Sequence, residues 1–195
     1  MGGVLVLHAW WGLNDDVRTY ARRLIDQGFA VETPDLYGAG RVATDIASAK
    51  ALLKARDTDR ALVEIDRAAE RLGIRGPYAV LGWSMGATFA WDLVGRRPGT
   101  VVALVDHYGG GEFEPGAALP PILGHFGELD DDPSVTQVAE LRDALEAAGH
   151  APEFHTYAGA RHWFAEPSRP EHDAAASTLA WERTVRFLNQ QLGPR

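Results

Sequence analysis

The sequence predicts an α/β protein: one domain on a central, mostly parallel sheet of about six strands, with helices on both faces and little or no cap. Three observations predict it. Short apolar runs alternate with longer segments of helical period, the pattern of repeated β-α units. Runs such as Val101-Val102-Ala103-Leu104-Val105 show no polar alternation, as strands covered on two sides require. Finally, 195 residues at 46% hydrophobic content supply one substantial core and are few for two, so the domain is read as residues 1–195.

The expected strands lie near Val4 to His8, Ala30 to Thr33, Tyr78 to Gly82, Val101 to His107, Ile122 to Phe126 and Glu153 to Tyr157. Helices fill the intervals: Asp16 to Gln27, Asp45 to Ala55, Thr58 to Leu72, Met85 to Arg97, Ser134 to Ala148 and Glu171 to Leu192. Asp132-Pro133 offers an N-cap and a first-turn proline to the fifth helix, whose Val138, Leu141, Leu145 and Ala148 share a face before Gly149 ends it. The last helix carries Trp181, Val185, Leu188 and Leu192 at helical spacing, a packing stripe stopped by Gly193-Pro194.

Composition narrows the function. Acidic residues outnumber basic ones 27 to 19 for a net charge of −8, and the arginines are scattered, which argues against nucleic acid and anionic membranes as partners. No apolar run approaches the roughly 20 residues that span a bilayer, and no basic segment precedes Val4-Leu7, so a cytoplasmic location is expected. Cysteine is absent, which excludes disulfides and a thiolate nucleophile. The histidines do not fall at ligand spacings such as H-E-x-x-H, and no metal or other cofactor is expected.

Gly82-Trp83-Ser84-Met85-Gly86 follows a strand and opens a helix, the pattern of a nucleophile elbow. Chance alone gives such a pentapeptide in about one chain in seventeen of this composition, so its context must decide. A serine hydroxyl needs a base in hydrogen-bond reach and a carboxylate to orient that base. Behind an elbow the partners follow in the order Ser, acid, His, which removes His8. His107, His125 and His155 fall in or at the ends of strands and read as structural; His150 and His172 sit at helix boundaries. His162 lies in the loop beyond the last strand, at the carboxyl edge where the elbow emerges, and is the candidate base. The acid should leave the fifth strand at that edge, where Asp130, Asp131 and Asp132 are adjacent. With Asp132 assigned to the helix cap, Asp130, nearest the strand, is preferred and Asp131 is the alternative. The N–H groups of Met85 and of Trp10, in the loop after the first strand, are candidate oxyanion donors. Trp10, Trp11, Trp83, Trp163 and Phe164 flank these segments, either as packing or as the lining of an apolar pocket.

Five segments together resemble the dienelactone hydrolase family of the α/β-hydrolase superfamily: Val6 to Asn14, Thr33 to Gly38, the elbow, His125 to Asp130, and Ala158 to Phe164. The resemblance spans nearly the whole chain. It implies Ser84 as nucleophile, Asp130 as acid, His162 as base, Trp10 and Met85 as oxyanion donors, and hydrolysis through an acyl-enzyme. It also implies that the chain begins at the strand that is usually third, with a sheet order of second, first, third, fourth, fifth, sixth. Two departures bear on substrate. Members that cleave dienelactone use a cysteine assisted by a glutamate in the first loop, where this chain has Ser84 and Ala9. They also hold the substrate carboxylate with an arginine four residues past the histidine, where this chain has Glu166. An acidic side chain there would repel an anionic lactone, so a small neutral ester is the expected substrate. A non-catalytic binding module, a true dienelactone hydrolase and an acyl transferase are the alternatives.

Overall fold

A computed structural model of the chain describes residues 2–73, 76–114 and 116–193. Six strands, β1 (Gly3–Leu7), β2 (Ala30–Glu32), β3 (Tyr78–Trp83), β4 (Val101–His107), β5 (Ile122–Gly127) and β6 (Glu153–Tyr157), form one parallel sheet in the order β2-β1-β3-β4-β5-β6. The helices are α1 (Asp15–Asp26), α2 (Ile46–Lys54), α3 (Thr58–Gly73), α4 (Met85–Arg96), α5 (Val135–Ala147) and α6 (Ala174–Leu192).

Successive side chains of a strand point to opposite faces, and here both faces are covered. Val4 and Val6 of β1, Ala79 and Leu81 of β3 and Ala103 and Val105 of β4 pack with Val17, Tyr20 and Leu24 of α1 and Ala180 and Leu188 of α6. Their neighbours Leu5, Leu7, Val80 and Leu104 pack on the other face against Ala61, Ile65 and Ala68 of α3 and Phe89, Ala90 and Leu93 of α4. This two-sided burial is why the central strands β1, β3 and β4 read as apolar runs, whereas the half-buried edge strand β6 does not. No helix among the described residues is long and apolar enough to cross a membrane.

Most helix ends fall within one residue of the sequence expectation, but the N-termini of α5 and α6 are made differently. Ser134, and not Asp132, caps α5: its side chain accepts from the Gln137 N–H while the Gln137 side chain accepts from the Ser134 N–H, a reciprocal pair that Asp132-Pro133 cannot form. At the last helix Asp173 caps three residues later than expected, accepting from the Ala175 and Ala176 N–H groups. The buried face of α6 is Ala176, Ala180, Thr184, Phe187 and Leu188, so Val185 falls beside the core stripe. Gly193 follows this helix, and Pro194 lies outside the described residues.

The elbow is fixed by two close backbone approaches. A Cβ on Gly82 would lie 2.4 Å from the Ala87 backbone, and one on Gly86 would lie 2.2 Å from the Leu7 carbonyl oxygen. Neither obstacle is a side chain that can turn away. Gly86→Ala is therefore expected to cost about 3 kcal/mol or more and to lower Tm by roughly 6–12 °C in thermal denaturation. An unchanged Tm would mean that α4 can slide away from β1.

Candidate active site

Ser84 sits between β3 and α4 with φ 51° and ψ −116°, a conformation that a serine holds only because both flanks are pinned. Its N–H donates to the His107 carbonyl at 2.9 Å, anchoring the turn to the end of β4. The loop after β6 carries His162. Its Nε2 lies 2.9 Å from Ser84 Oγ, and its Nδ1 lies 2.7 Å from Asp130 Oδ2. Asp130 is buried just beyond β5, and its other oxygen accepts the Asp132 N–H at 3.0 Å. With Nδ1 protonated toward the carboxylate, Nε2 is the acceptor that faces the serine hydroxyl. Asp131 is exposed on the rim of the cleft and makes no bond to the imidazole.

Tyr37, after β2, ties together the two segments expected to supply N–H donors. Its hydroxyl donates to the Trp10 carbonyl at 2.9 Å and lies 3.5 Å from Met85 Sδ. His8 holds the same region from below: its Nε2 accepts the Leu36 N–H at 3.0 Å, and burial pushes its pKa down to about 4, keeping it neutral. The Met85 N–H, in the first turn of α4, is among the donors a helix leaves free.

Ser84 opens into a cleft of about 780 Å³, a size suited to a small organic molecule. Its apolar wall is Trp10, Leu53, Met85, Val138, Leu141 and Trp163. Trp10 and Trp163 are stacked with ring centroids 5.5 Å apart. Asp131, Asp132, Arg161 and Glu171 also line it, three carboxylates against one guanidinium, and none of the four is in an ion pair among the described residues.

Four residues expected in the pocket are elsewhere. Trp83 follows Ala79 and Leu81 onto the α1/α6 face of the sheet, where its ring meets Tyr20 edge-on at 5.0 Å. Trp11 is buried behind Trp10 and Trp163, with Arg169 stacked on it at 4.1 Å. Phe164 is wedged between Tyr108 and Tyr157. Glu166 is fully buried outside the cleft lining, so it offers no charge to a bound substrate. Conversely, Tyr108, Gly109 to Gly111, Thr88 and Leu53 line the cleft without having been singled out. Tyr108 carried one signal, its position directly beyond a strand at the carboxyl edge. Asp106 shapes this wall by accepting from the Gly109 N–H at 2.9 Å and from Trp91 Nε1 at 2.8 Å; its burial raises its pKa to about 6.

No group of three or more His, Cys, Asp or Glu residues is placed to hold a metal ion among the described residues. The profile of the dienelactone hydrolase family matches residues 1–192. The chain belongs to this family. It is 27% identical over 204 residues to the carboxymethylenebutenolidase of Pseudomonas putida, covering 95% of this chain and 84% of that protein. Two solved structures share the fold. A dienelactone hydrolase-like promiscuous phosphotriesterase from metagenomic libraries superimposes with a TM-score of 0.84 at 23% identity, over 99% of this chain and 87% of that one. Esterase 2 of Thermogutta terrifontis, phosphorylated by paraoxon, gives 0.69 at 18% identity, over 100% and 85%. The sheet is that of an α/β hydrolase, and family and neighbours together support a hydrolase.

Proposed function

We propose that this family member is a serine hydrolase that cleaves small neutral esters or lactones through an acyl-enzyme on Ser84. The reading rests on one observation, the continuous hydrogen-bonded chain from Ser84 Oγ through His162 to Asp130 at the mouth of the cleft. His162 Nε2 takes the hydroxyl proton as Oγ attacks the carbonyl carbon, while Asp130 stabilises the imidazolium and holds its tautomer. The N–H groups of Met85 and Trp10 stabilise the oxyanion. As the tetrahedral adduct collapses, the imidazolium gives its proton to the departing alcohol. Water then attacks the acyl carbon, with the same base taking its proton; the bond to Ser84 Oγ breaks as the imidazolium returns that proton to Oγ, and the acid product is released.

Substrate charge follows from the rim. Three carboxylates against one guanidinium disfavour an anionic ester, an effect that falls with ionic strength. This replaces the argument from Glu166. Although one relative is named a carboxymethylenebutenolidase, a carboxylate-bearing lactone is expected to be the poorer substrate here.

A fluorophosphonate probe should add one phosphonyl group to folded protein, mapped by peptide mass spectrometry to Ser84. Folded protein that stays unlabelled would remove the serine-hydrolase reading. Among p-nitrophenyl esters, a neutral acyl group should exceed its carboxylate-bearing isostere by roughly tenfold or more in kcat/KM at low salt, corresponding to about 1.4 kcal/mol. A preference for the anion, or efficient dienelactone turnover, would favour a true dienelactone hydrolase.

A further inference from the structure

Among the described residues, Glu166 is the buried carboxyl that keeps an oxygen without a partner. It lies four residues beyond His162 in the loop between β6 and α6, in a turn closed by its own N–H to the Trp163 carbonyl at 2.9 Å. Its Oε1 accepts the Tyr108 hydroxyl at 3.0 Å, and Oε2 accepts nothing. Tyr108 is itself fully buried, follows β4 with φ 42°, and donates its N–H to the His125 carbonyl at 2.8 Å. Its ring lies 5.1 Å from the His162 ring and 5.5 Å from that of Phe164. The side-chain link thus joins the end of β4 to the loop that carries the base.

The groups facing Glu166 do not neutralise a charge on it. Asp16 comes from α1, Arg169 and Glu171 from its own loop, and Tyr108 from the end of β4; Tyr20 of α1 acts in turn on Tyr108. Arg169 is stacked on Trp11, and among the described residues no cation is within ion-pair distance of Glu166. Burial pushes the Glu166 carboxyl up to about 8, with Asp16 and Glu171 acting the same way and the Tyr108 bond and Arg169 opposing. That direction favours the protonated carboxyl at neutral pH, and Oε2, which accepts no hydrogen bond, is the oxygen free to carry the proton.

Taking the serine-hydrolase reading as the basis, we propose that neutral Glu166 is a positioning residue for the general base: through the Tyr108 hydroxyl it holds the Tyr108 ring against His162 and the 158–173 loop against the sheet. Ionised Glu166 is a buried charge without a counter-ion, relieved only by water entry or by movement of the loop. A shift of about 1 Å at the base costs on the order of 100-fold in rate. Activity therefore carries an alkaline limb that belongs to Glu166.

The test compares pH profiles of kcat for a neutral p-nitrophenyl ester in the wild-type protein, Glu166→Gln, Glu166→Ala and Tyr108→Phe, with circular dichroism as the check on folding. Glu166→Gln keeps an acceptor for Tyr108 without the ionisation, so it should retain kcat at pH 7 and lose the limb near pH 8. Glu166→Ala and Tyr108→Phe should lower kcat by about tenfold or more at pH 7 with little change in KM. A limb unchanged in Glu166→Gln, or full kcat in Tyr108→Phe, overturns the proposal. Nitrogen-15 NMR of the His162 imidazole reads the same coupling without turnover: its shift should move with a midpoint near 8 in the wild-type protein and not in Glu166→Gln. That signal with no Ser84 adduct would indict the hydrolase reading alone, whereas a Ser84 adduct without it would indict the role of Glu166. If Glu166→Gln does not fold, Tyr108→Phe and the wild-type NMR titration decide.

Discussion

Ser84→Ala is expected to reduce kcat on a neutral ester by roughly 10⁴- to 10⁶-fold, with a change in stability of no more than about 0.5 kcal/mol. The loss is large because no neighbour can replace the nucleophile: the chain has no cysteine, and the base in reach of the hydroxyl, His162, points at Ser84 Oγ from 2.9 Å. The stability cost is small because alanine at φ 51° meets the same strain as serine, and the turn is held by the Ser84 N–H to the His107 carbonyl. His162→Ala should cost about as much, and the double variant should be hardly worse than either single one, since nucleophile and base act as a unit. Asp130→Asn should fall about 10⁴-fold, because an amide presents the wrong partner to Nδ1. Stopped assays at high enzyme concentration, with denaturation curves alongside, check all four. Additive losses, or turnover in Ser84→Ala near that of the wild-type protein, would move the chemistry elsewhere.

What could be read from the sequence follows from where each residue's environment is set. Ser84 and His162 lie in short loops at strand ends, so strand assignment alone brings them to one edge. Asp130 is legible as the aspartate nearest β5, and its 2.7 Å contact to His162 follows from that position; the supporting assignment of Asp132 to the helix cap does not hold, since Ser134 is the cap. The apolar runs gave the strands because both faces of the sheet are covered, although the pairing of β2 ends at Glu32 and leaves Thr33 outside. Whether a tryptophan beside a catalytic segment faces the cleft depends on the turn it sits in, and Trp163, at φ 63°, turns into the cleft while Phe164 turns away. Trp83 could have been resolved, since strand parity sets it with Ala79 and Leu81 beneath α1 and α6. Glu166 could not. Its neutral state comes from burial beside Tyr108, a residue 58 positions away in the chain.

The same parity places His107, His125 and His155 side by side on β4, β5 and β6, and it predicts a strong loss of stability in acid. The His107 and His125 rings are 4.7 Å apart, and His125 and His155 are stacked at 6.0 Å. His125 has partners for both nitrogens, Tyr157 at 2.8 Å and Thr184 at 3.0 Å, whereas among the described residues neither nitrogen of His107 has one. His155, at the sheet edge, meets Glu153 at 2.8 Å. Around His107 stand Tyr20, Trp83 and Tyr108, which offer no carboxylate to a proton on the ring. Burial accordingly lowers the His107 pKa from 6.5 to about 3, and that of His125 well below 6.5. Between those values the unfolded chain binds the proton and the folded chain does not. Stability is therefore fully present above pH 6.5 and is lost as pH falls toward 3. By pH 4 the loss from His107 alone is roughly 3 kcal/mol, a large part of the 5–15 kcal/mol typical of a domain. His107→Leu removes the titrating ring without breaking a hydrogen bond. It should match or exceed the wild-type protein at pH 7.5 and gain on it by about 2–3 kcal/mol at pH 4 in urea denaturation, with uptake on unfolding reduced by about one proton. A variant that loses stability in acid as steeply as the wild-type protein would show that the His107 ring takes up its proton in place.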